Sequence, residues 1–196
     1  MLQYFRYRRT GVEIMIYMFL ADGFEETEAL VTLDMLRRAG IDIETVGIGG
    51  KEITGAHKIT VKADISDSEA DEKVCSGVIL PGGMPGTKNL LASPTVLNML
   101  NVCGDKSYPL CAICAAPMIL GKMGFLIGKN AVCFPGFEKE LRGATVLKDA
   151  SVIDGNIVTA RGAGAVFEFS HNIISLIKDS SIADRVIGDV QFAHKI

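Results

Sequence analysis

Of the five cysteines in this 196-residue chain, Cys114 stands in a setting that could make it a nucleophile. It closes the apolar run Pro109-Leu110-Cys111-Ala112-Ile113 and is followed by Ala115-Ala116-Pro117. Such a run reads as a buried strand, and a proline just beyond it suits the first turn of a helix. The thiol then lies at the strand-to-helix bend, near backbone N–H groups that lack partners inside the helix. Those groups favour an anion, and so favour thiolate over thiol. The pattern is that of a nucleophile elbow with cysteine in the place of serine. The competing reading is an inert thiol sealed in the core.

Other residues could serve such a thiol. Pro81-Gly82-Gly83-Met84-Pro85-Gly86 follows the apolar run Val78-Ile79-Leu80. Read alone it is a tight strand-to-helix turn; beside a nucleophile, paired glycines can turn N–H groups inward as an oxyanion site. Glu25, Glu26 and Glu28 open a helical pattern, where acids complement the helix dipole, and that reading suffices for Glu25 and Glu26. Glu28 lies one turn further in. Desolvated there, it could stay protonated at neutral pH, donate a hydrogen bond to the thiolate and lower the thiol pKa without a histidine. Arg161-Gly162-Ala163-Gly164-Ala165 lacks the third glycine and the position near the first strand that a dinucleotide site requires. It reads as a close turn on the rim of the thiol pocket.

Cys111 and Cys114 form a C-x-x-C pair, but Cys111 falls inside the strand and faces the core, so a disulfide between them would break the strand. Cys75, Cys103 and Cys133 read as small apolar residues. No four-ligand spacing for zinc occurs, and neither metal nor cofactor is expected. His57, His171 and His194 are all remote in sequence from Cys114; His171 and His194 read as structural or surface residues.

The elements that must position these groups alternate. Strands are predicted over 13–20, 41–48, 76–80, 109–113, 131–134, 144–147 and 157–160. Helices are predicted over 25–39, 94–102, 115–123, 165–178 and 181–190, and a glycine-flanked hairpin over 49–61. Continuous apolar strands alternating with helices imply an α/β fold with a mainly parallel sheet covered on both faces. Ligands in such folds sit at the carboxyl ends of the strands. The three loops above, at 22–28, 81–87 and 114–117, fall at those ends.

Composition bounds the function. The chain is 48% apolar with 21 glycines and a net charge of −3, so charge alone draws it to neither nucleic acid nor an anionic membrane. An odd count of scattered cysteines fits reduced thiols in a cytoplasm better than a disulfide scaffold. Arg6, Arg8 and Arg9 before the apolar run 14–21 imitate a signal peptide, but no small-residue cleavage pattern follows, and the run is too short to span a bilayer. Residues 1–12 read as an N-terminal extension to a single domain over 13–196.

Five runs taken together resemble the DJ-1/PfpI (ThiJ) family of the glutamine-amidotransferase-like superfamily. They are Ala21-Asp22-Gly23-Phe24-Glu25-Glu26-Thr27-Glu28, Leu36-Arg37-Arg38-Ala39-Gly40, Leu80-Pro81-Gly82-Gly83, Ala112-Ile113-Cys114-Ala115-Ala116-Pro117, and Thr159-Ala160-Arg161-Gly162 leading to Phe167-Glu168-Phe169. The likeness covers about residues 13–190 and is nearer to the DJ-1 branch than to the protease branch. It implies a flavodoxin-like three-layer sandwich and a homodimer. It places the reactive cysteine on Cys114, its protonated partner on Glu28, and the flanking amides on Gly82, Gly83 and Ala115. Protease-like members carry histidine directly after the cysteine, where this chain has Ala115, so peptidase activity is not expected. Some members carry histidine at the position of Phe134, so no histidine base is available there.

The resulting expectation is a cysteine-dependent protein that adds Cys114 to a small reactive carbonyl such as a 2-oxoaldehyde. Glu28 moves the proton, as in a glutathione-independent glyoxalase or deglycase. One alternative is a redox sensor or stress chaperone in which Cys114 is oxidised and nothing turns over. Another is a ThiJ-type role in thiamine thiazole metabolism, for which no phosphate-binding constellation is evident.

Overall fold

The computed structural model describes residues 15–192. The extension 1–12, the expected strand residues 13 and 14, and His194 lie outside them. Eleven strands and six helices follow in chain order: β1 (Met15–Leu20), α1 (Glu26–Arg38), β2 (Ile43–Gly47), β3 (Glu52–Thr54), β4 (Thr60–Lys62), β5 (Ile65–Ser66), β6 (Cys75–Leu80), α2 (Gly86–Ala92), α3 (Pro94–Asp105), β7 (Leu110–Ile113), α4 (Pro117–Lys122), β8 (Asn130–Ala131), β9 (Thr145–Val146), β10 (Ser151–Asp154), β11 (Ile157–Ala160), α5 (Val166–Ile177) and α6 (Ser180–Asp189).

Seven strands form the central sheet in the order β10-β11-β7-β6-β1-β2-β5. Every pairing in it is parallel except β10 with β11. Side chains alternate across the sheet. Ile16, Met18, Leu20, Cys111 and Ile113 face one core with α1, α5 and α6, whereas Tyr17, Phe19, Leu110 and Ala112 face a second core with α3 and α4. A strand buried on both faces has no polar side to show, which is why these segments read as unbroken apolar runs. The three-layer α/β architecture is the one expected.

The hairpin expected over 49–61 is β3–β4, an antiparallel pair standing apart from the main sheet. Short elements differ from expectation where tertiary contacts set the limits. The strand expected over 131–134 stops at Ala131, because the N–H of Val132 turns to the Thr159 hydroxyl and that of Phe134 to the Cys114 carbonyl. The helix expected from 115 begins at Pro117, since Ala115 and Ala116 form the turn. The expectation omitted β5, α2 and β10. Neither α2, seven residues long and carrying little periodicity, nor the antiparallel edge strand β10 announces itself in an apolar pattern. Among the described residues, no helix is long and apolar enough to cross a membrane.

Candidate functional site

β6 and β7 run parallel side by side in the middle of the sheet, so the loops after them emerge together at the carboxyl ends. Cys114 directly follows β7 and takes φ +64°, a left-handed conformation that a residue with a β-carbon adopts at a cost. Its N–H donates to the Ala160 carbonyl at 2.9 Å and its carbonyl accepts from Phe134 N–H at 2.8 Å. The bend is thereby fixed from both sides. Of the five cysteines, Cys114 is the one that is not buried.

Glu28 reaches the bend from the first turn of α1. It is 1% exposed, its Oε2 accepts from the N–H of Gly82 at 2.8 Å, and its Oε1 is buried without a hydrogen-bond partner. Burial pushes its pKa up to about 7, against the pull of the Gly82 N–H and the Cys114 thiol; the nearby charge of Glu25 adds to the rise. A carboxyl so raised holds its proton at far higher pH than a solvated one. Cys114 differs from its expected thiolate character. Burial and then the Glu28 charge push its pKa up to about 12, while the N–H groups of Gly83 and Ala115 pull it down. Charge on either group thus disfavours charge on the other.

The oxyanion assignment divides accordingly. The backbone N–H groups of Gly83 and Ala115 favour charge on the sulfur, whereas the N–H of Gly82 is committed to Glu28. Gly82 matters instead for its missing side chain. A Cβ built on it would lie 2.6 Å from the Cys114 Cβ and 3.1 Å from Sγ. Gly162 is buried against the site in the same way, with a built Cβ 3.3 Å from the Phe134 ring and 4.0 Å from Glu28 Oε1. Phe134 is half exposed and forms an apolar rim. Arg161 is tied to this group only through its neighbour; its own N–H goes to the Ala150 carbonyl.

Two contributors were not singled out in the sequence. The backbone of Ala163 pulls the Glu28 pKa down, an influence from an unremarkable alanine that nothing in the sequence signals. Glu26 proves more than a dipole complement. Its buried carboxylate accepts from His57 N at 2.7 Å and Ile59 N at 3.4 Å and pairs with the His57 ring at 2.9 Å. It pins the β3–β4 hairpin to the loop that carries Glu25 and Gly23, where Gly23 N–H donates to the Thr54 carbonyl and Ala56 N–H to that of Phe24. Burial alone would raise the Glu26 pKa, but these hydrogen bonds outweigh it and hold the carboxyl below its ordinary value. Glu25, Glu26 and His57 also lie close enough for one ligand atom of each to meet a metal ion. His57 is paired with both carboxylates, and Glu26 also accepts from the backbone of His57 and Ile59.

The DJ-1/PfpI family matches residues 15–176. The protein named DJ-1 homolog B of Arabidopsis thaliana is 32% identical over 157 residues, 79% of this chain; the chain spans 36% of that relative's length. A protein named deglycase from Pyrococcus abyssi is 28% identical over 160 residues, 81% of this chain and 96% of its own. Among solved structures, a cysteine-to-alanine mutant of a DJ-1 superfamily protein from Salmonella typhimurium superposes with a TM-score of 0.86 at 32% identity, covering 92% of this chain and all of that one.

Proposed function

The chain belongs to the DJ-1/PfpI family, and from that premise we propose that it is a cysteine-dependent enzyme acting on small reactive carbonyls, with a nucleophile elbow at Cys114 and Glu28 as its proton carrier. The observation that carries this reading is the buried Glu28 carboxyl, held by the Gly82 N–H with its other oxygen unpartnered, meeting Cys114 at the bend where a Cβ on Gly82 would touch both. Only the state with Glu28 protonated removes the carboxylate charge from beside the sulfur and turns an acceptor into a donor. That state yields a usable thiolate without a histidine.

In the proposed reaction the thiolate adds to the aldehyde carbon of a 2-oxoaldehyde. The carbonyl π pair moves to oxygen, which takes the Glu28 proton and gives a neutral hemithioacetal. The Glu28 carboxylate, now next to the former aldehyde C–H, removes that proton to form an enediolate and returns it to the adjacent carbon, while the hydroxyl proton passes to the neighbouring oxygen, leaving a 2-hydroxy thioester. Water releases a 2-hydroxy acid and restores the thiol, so one water is added overall. The Gly83 and Ala115 N–H groups are suited to the charge that develops at the site. Deglycation of a sugar-like adduct would begin with the same addition, and the name of the Pyrococcus relative is in keeping with it. Action as a homodimer of single domains spanning 13–196 in a cytoplasm belongs to the same proposal.

The test is methylglyoxal consumption with product analysis. Wild type should form lactate. Cys114→Ala should fall to the uncatalysed rate, and Glu28→Gln should lose at least about 100-fold, the usual contribution of one positioned acid–base group. Equal, near-background rates for all three would refute turnover. The second reading is then redox sensing, favoured by Cys114 being the one cysteine that is not buried and supported if peroxide converts it to sulfinic acid ahead of the others.

A further inference from the structure

The proposed carbonyl chemistry uses one of five thiols. Two of the others meet at the far end of the sheet. Cys75 is the first residue of β6 and Cys103 lies in the last turn of α3. Because β6 and β7 are parallel, Cys75 sits at the end of the sheet opposite the one from which Cys114 emerges. Their sulfurs are 3.5 Å apart, in thiol–thiol hydrogen-bond contact across 28 residues of sequence. Both were read from the sequence as small apolar residues, and both are buried. Two thiols in contact have a chemistry that neither has alone.

We propose that Cys75 and Cys103 form a second redox centre, a dithiol that a peroxide closes to an intramolecular disulfide. A disulfide bond is about 2.05 Å long, so the sulfurs need to approach by roughly 1.5 Å. Either thiol can donate in this contact, the Cys75 S–H also lies 3.7 Å from the Gly77 carbonyl, and the Lys106 ammonium favours negative charge on the pair. Tyr17, whose hydroxyl accepts from Asp71 N–H, is the other titratable group that feels Cys75. Either sulfur can attack with the other resolving, and the same disulfide forms.

In the first step one of the two sulfurs, as thiolate, attacks one oxygen of hydrogen peroxide. The O–O bond breaks, a sulfenic acid forms, and the departing hydroxide takes a proton to become water. In the second, the other sulfur attacks the sulfenic sulfur, its proton leaves with the hydroxyl as water, and the S–S bond forms. Two thiols and one peroxide give one disulfide and two waters. Both thiols lie near element ends, Cys75 at the start of a strand behind exposed Lys73 and Cys103 three residues before exposed Lys106, so fraying of the α3 terminus would admit peroxide. The closed ring would contain β6, the Pro81–Gly86 loop and α2, so the bond would brace the scaffold under the Cys114 site from behind.

Peptide mapping decides the matter. Reduced full-length protein is treated with hydrogen peroxide, unfolded in iodoacetamide, digested without reductant and analysed by mass spectrometry. The expected product is a cross-linked pair of peptides carrying Cys75 and Cys103, lighter by two hydrogens than the reduced pair. It should vanish on treatment with dithiothreitol and be absent from Cys75→Ser and Cys103→Ser. Because the wild-type cross-link is read directly, the test stands even if a serine variant folds poorly. Recovery of both residues as alkylated thiols while Cys114 is oxidised, or their separate oxidation to sulfonic acids, would overturn the proposal.

Discussion

The backbone N–H of Gly82 donates to Oε2 of Glu28 at 2.8 Å across 54 residues of sequence, from a glycine whose absent side chain leaves the space where Glu28 and Cys114 meet. One residue thus both tethers the acid and makes room for the Cys114 side chain. Any β-carbon at 82 would lie 2.6 Å from Glu28 Oε2 and equally close to the Cys114 Cβ. Neither neighbour is free to retreat, since Glu28 is buried and Cys114 is held by hydrogen bonds on both sides of its peptide.

Gly82→Ala should therefore displace the acid from the sulfur. Overpacking of this kind costs about 1–3 kcal/mol, and misplacement of a reacting group by about an ångström costs on the order of 100-fold in rate. Urea unfolding together with methylglyoxal turnover would register both losses. A variant with wild-type rate would show that the glycine is a turn residue and nothing more.

The charge state of the sulfur is accessible through its absorbance in the ultraviolet. Glutamine at position 28 keeps an N–H donor and removes the carboxylate, so Glu28→Gln should titrate Cys114 at lower pH than Glu28→Asp, whose shorter side chain leaves a gap. Should the thiol titrate identically in wild type and both variants, Glu28 does not govern it.

Glu28 also imprints a pH dependence on stability. Its folded pKa, about 7, lies above its ordinary value of 4.5. Between those values the folded state binds more protons than the unfolded, so the contribution of this group is fully present below about 4.5 and is lost as pH rises through about 7. A shift of that size corresponds to roughly 3 kcal/mol. Glu28→Gln lacks the penalty. Its stability relative to wild type should thus be greater at pH 8 than at pH 5 by an amount of that order, as read from paired denaturant titrations. An unchanged difference between the two proteins across this range would mean that Glu28 is solvated.

Glu26 should matter for the fold more than for the chemistry. Glu26→Ala strips the acceptor from the N–H groups of His57 and Ile59 and frees the β3–β4 hairpin. Loss of a buried, charge-assisted acceptor costs about 2–3 kcal/mol. Amide hydrogen exchange should rise in residues 55–59 well before global unfolding. Protection equal to that of wild type would assign the bracing of the hairpin to β3–β4 pairing alone.

Much of this architecture could be read from residue order. Apolar runs of strand length separated by helical periodicity dictate a sheet covered on two faces, because only such a fold hides both sides of each strand. An apolar strand that ends at Cys114 and resumes as a helix at Pro117 dictates a sharp bend with the thiol upon it. The glycines at 82 and 83 and the acid at 28 stood out because their types are costly or conspicuous where they fall. Composition likewise carried the balance of charge.

What residue order left undecided depends on which loops meet once the sheet is built. Gly82 and Gly83 are neighbours of one type, yet only tertiary contact sends the N–H of the first to Glu28 and lets that of the second favour charge on the sulfur. Glu26 and Glu28 share a helical turn and a charge. One is held ionised by hydrogen bonds from a hairpin 31 residues away, and the other is driven toward neutrality by burial with one oxygen unpaired. Cys75 and Cys103 carry no mark in the sequence beyond being apolar, and they become a pair only because α3 lies down on β6. Solvation, proton position and sulfur pairing are properties of three-dimensional neighbours, and the chain acquires them only when the strands come into register.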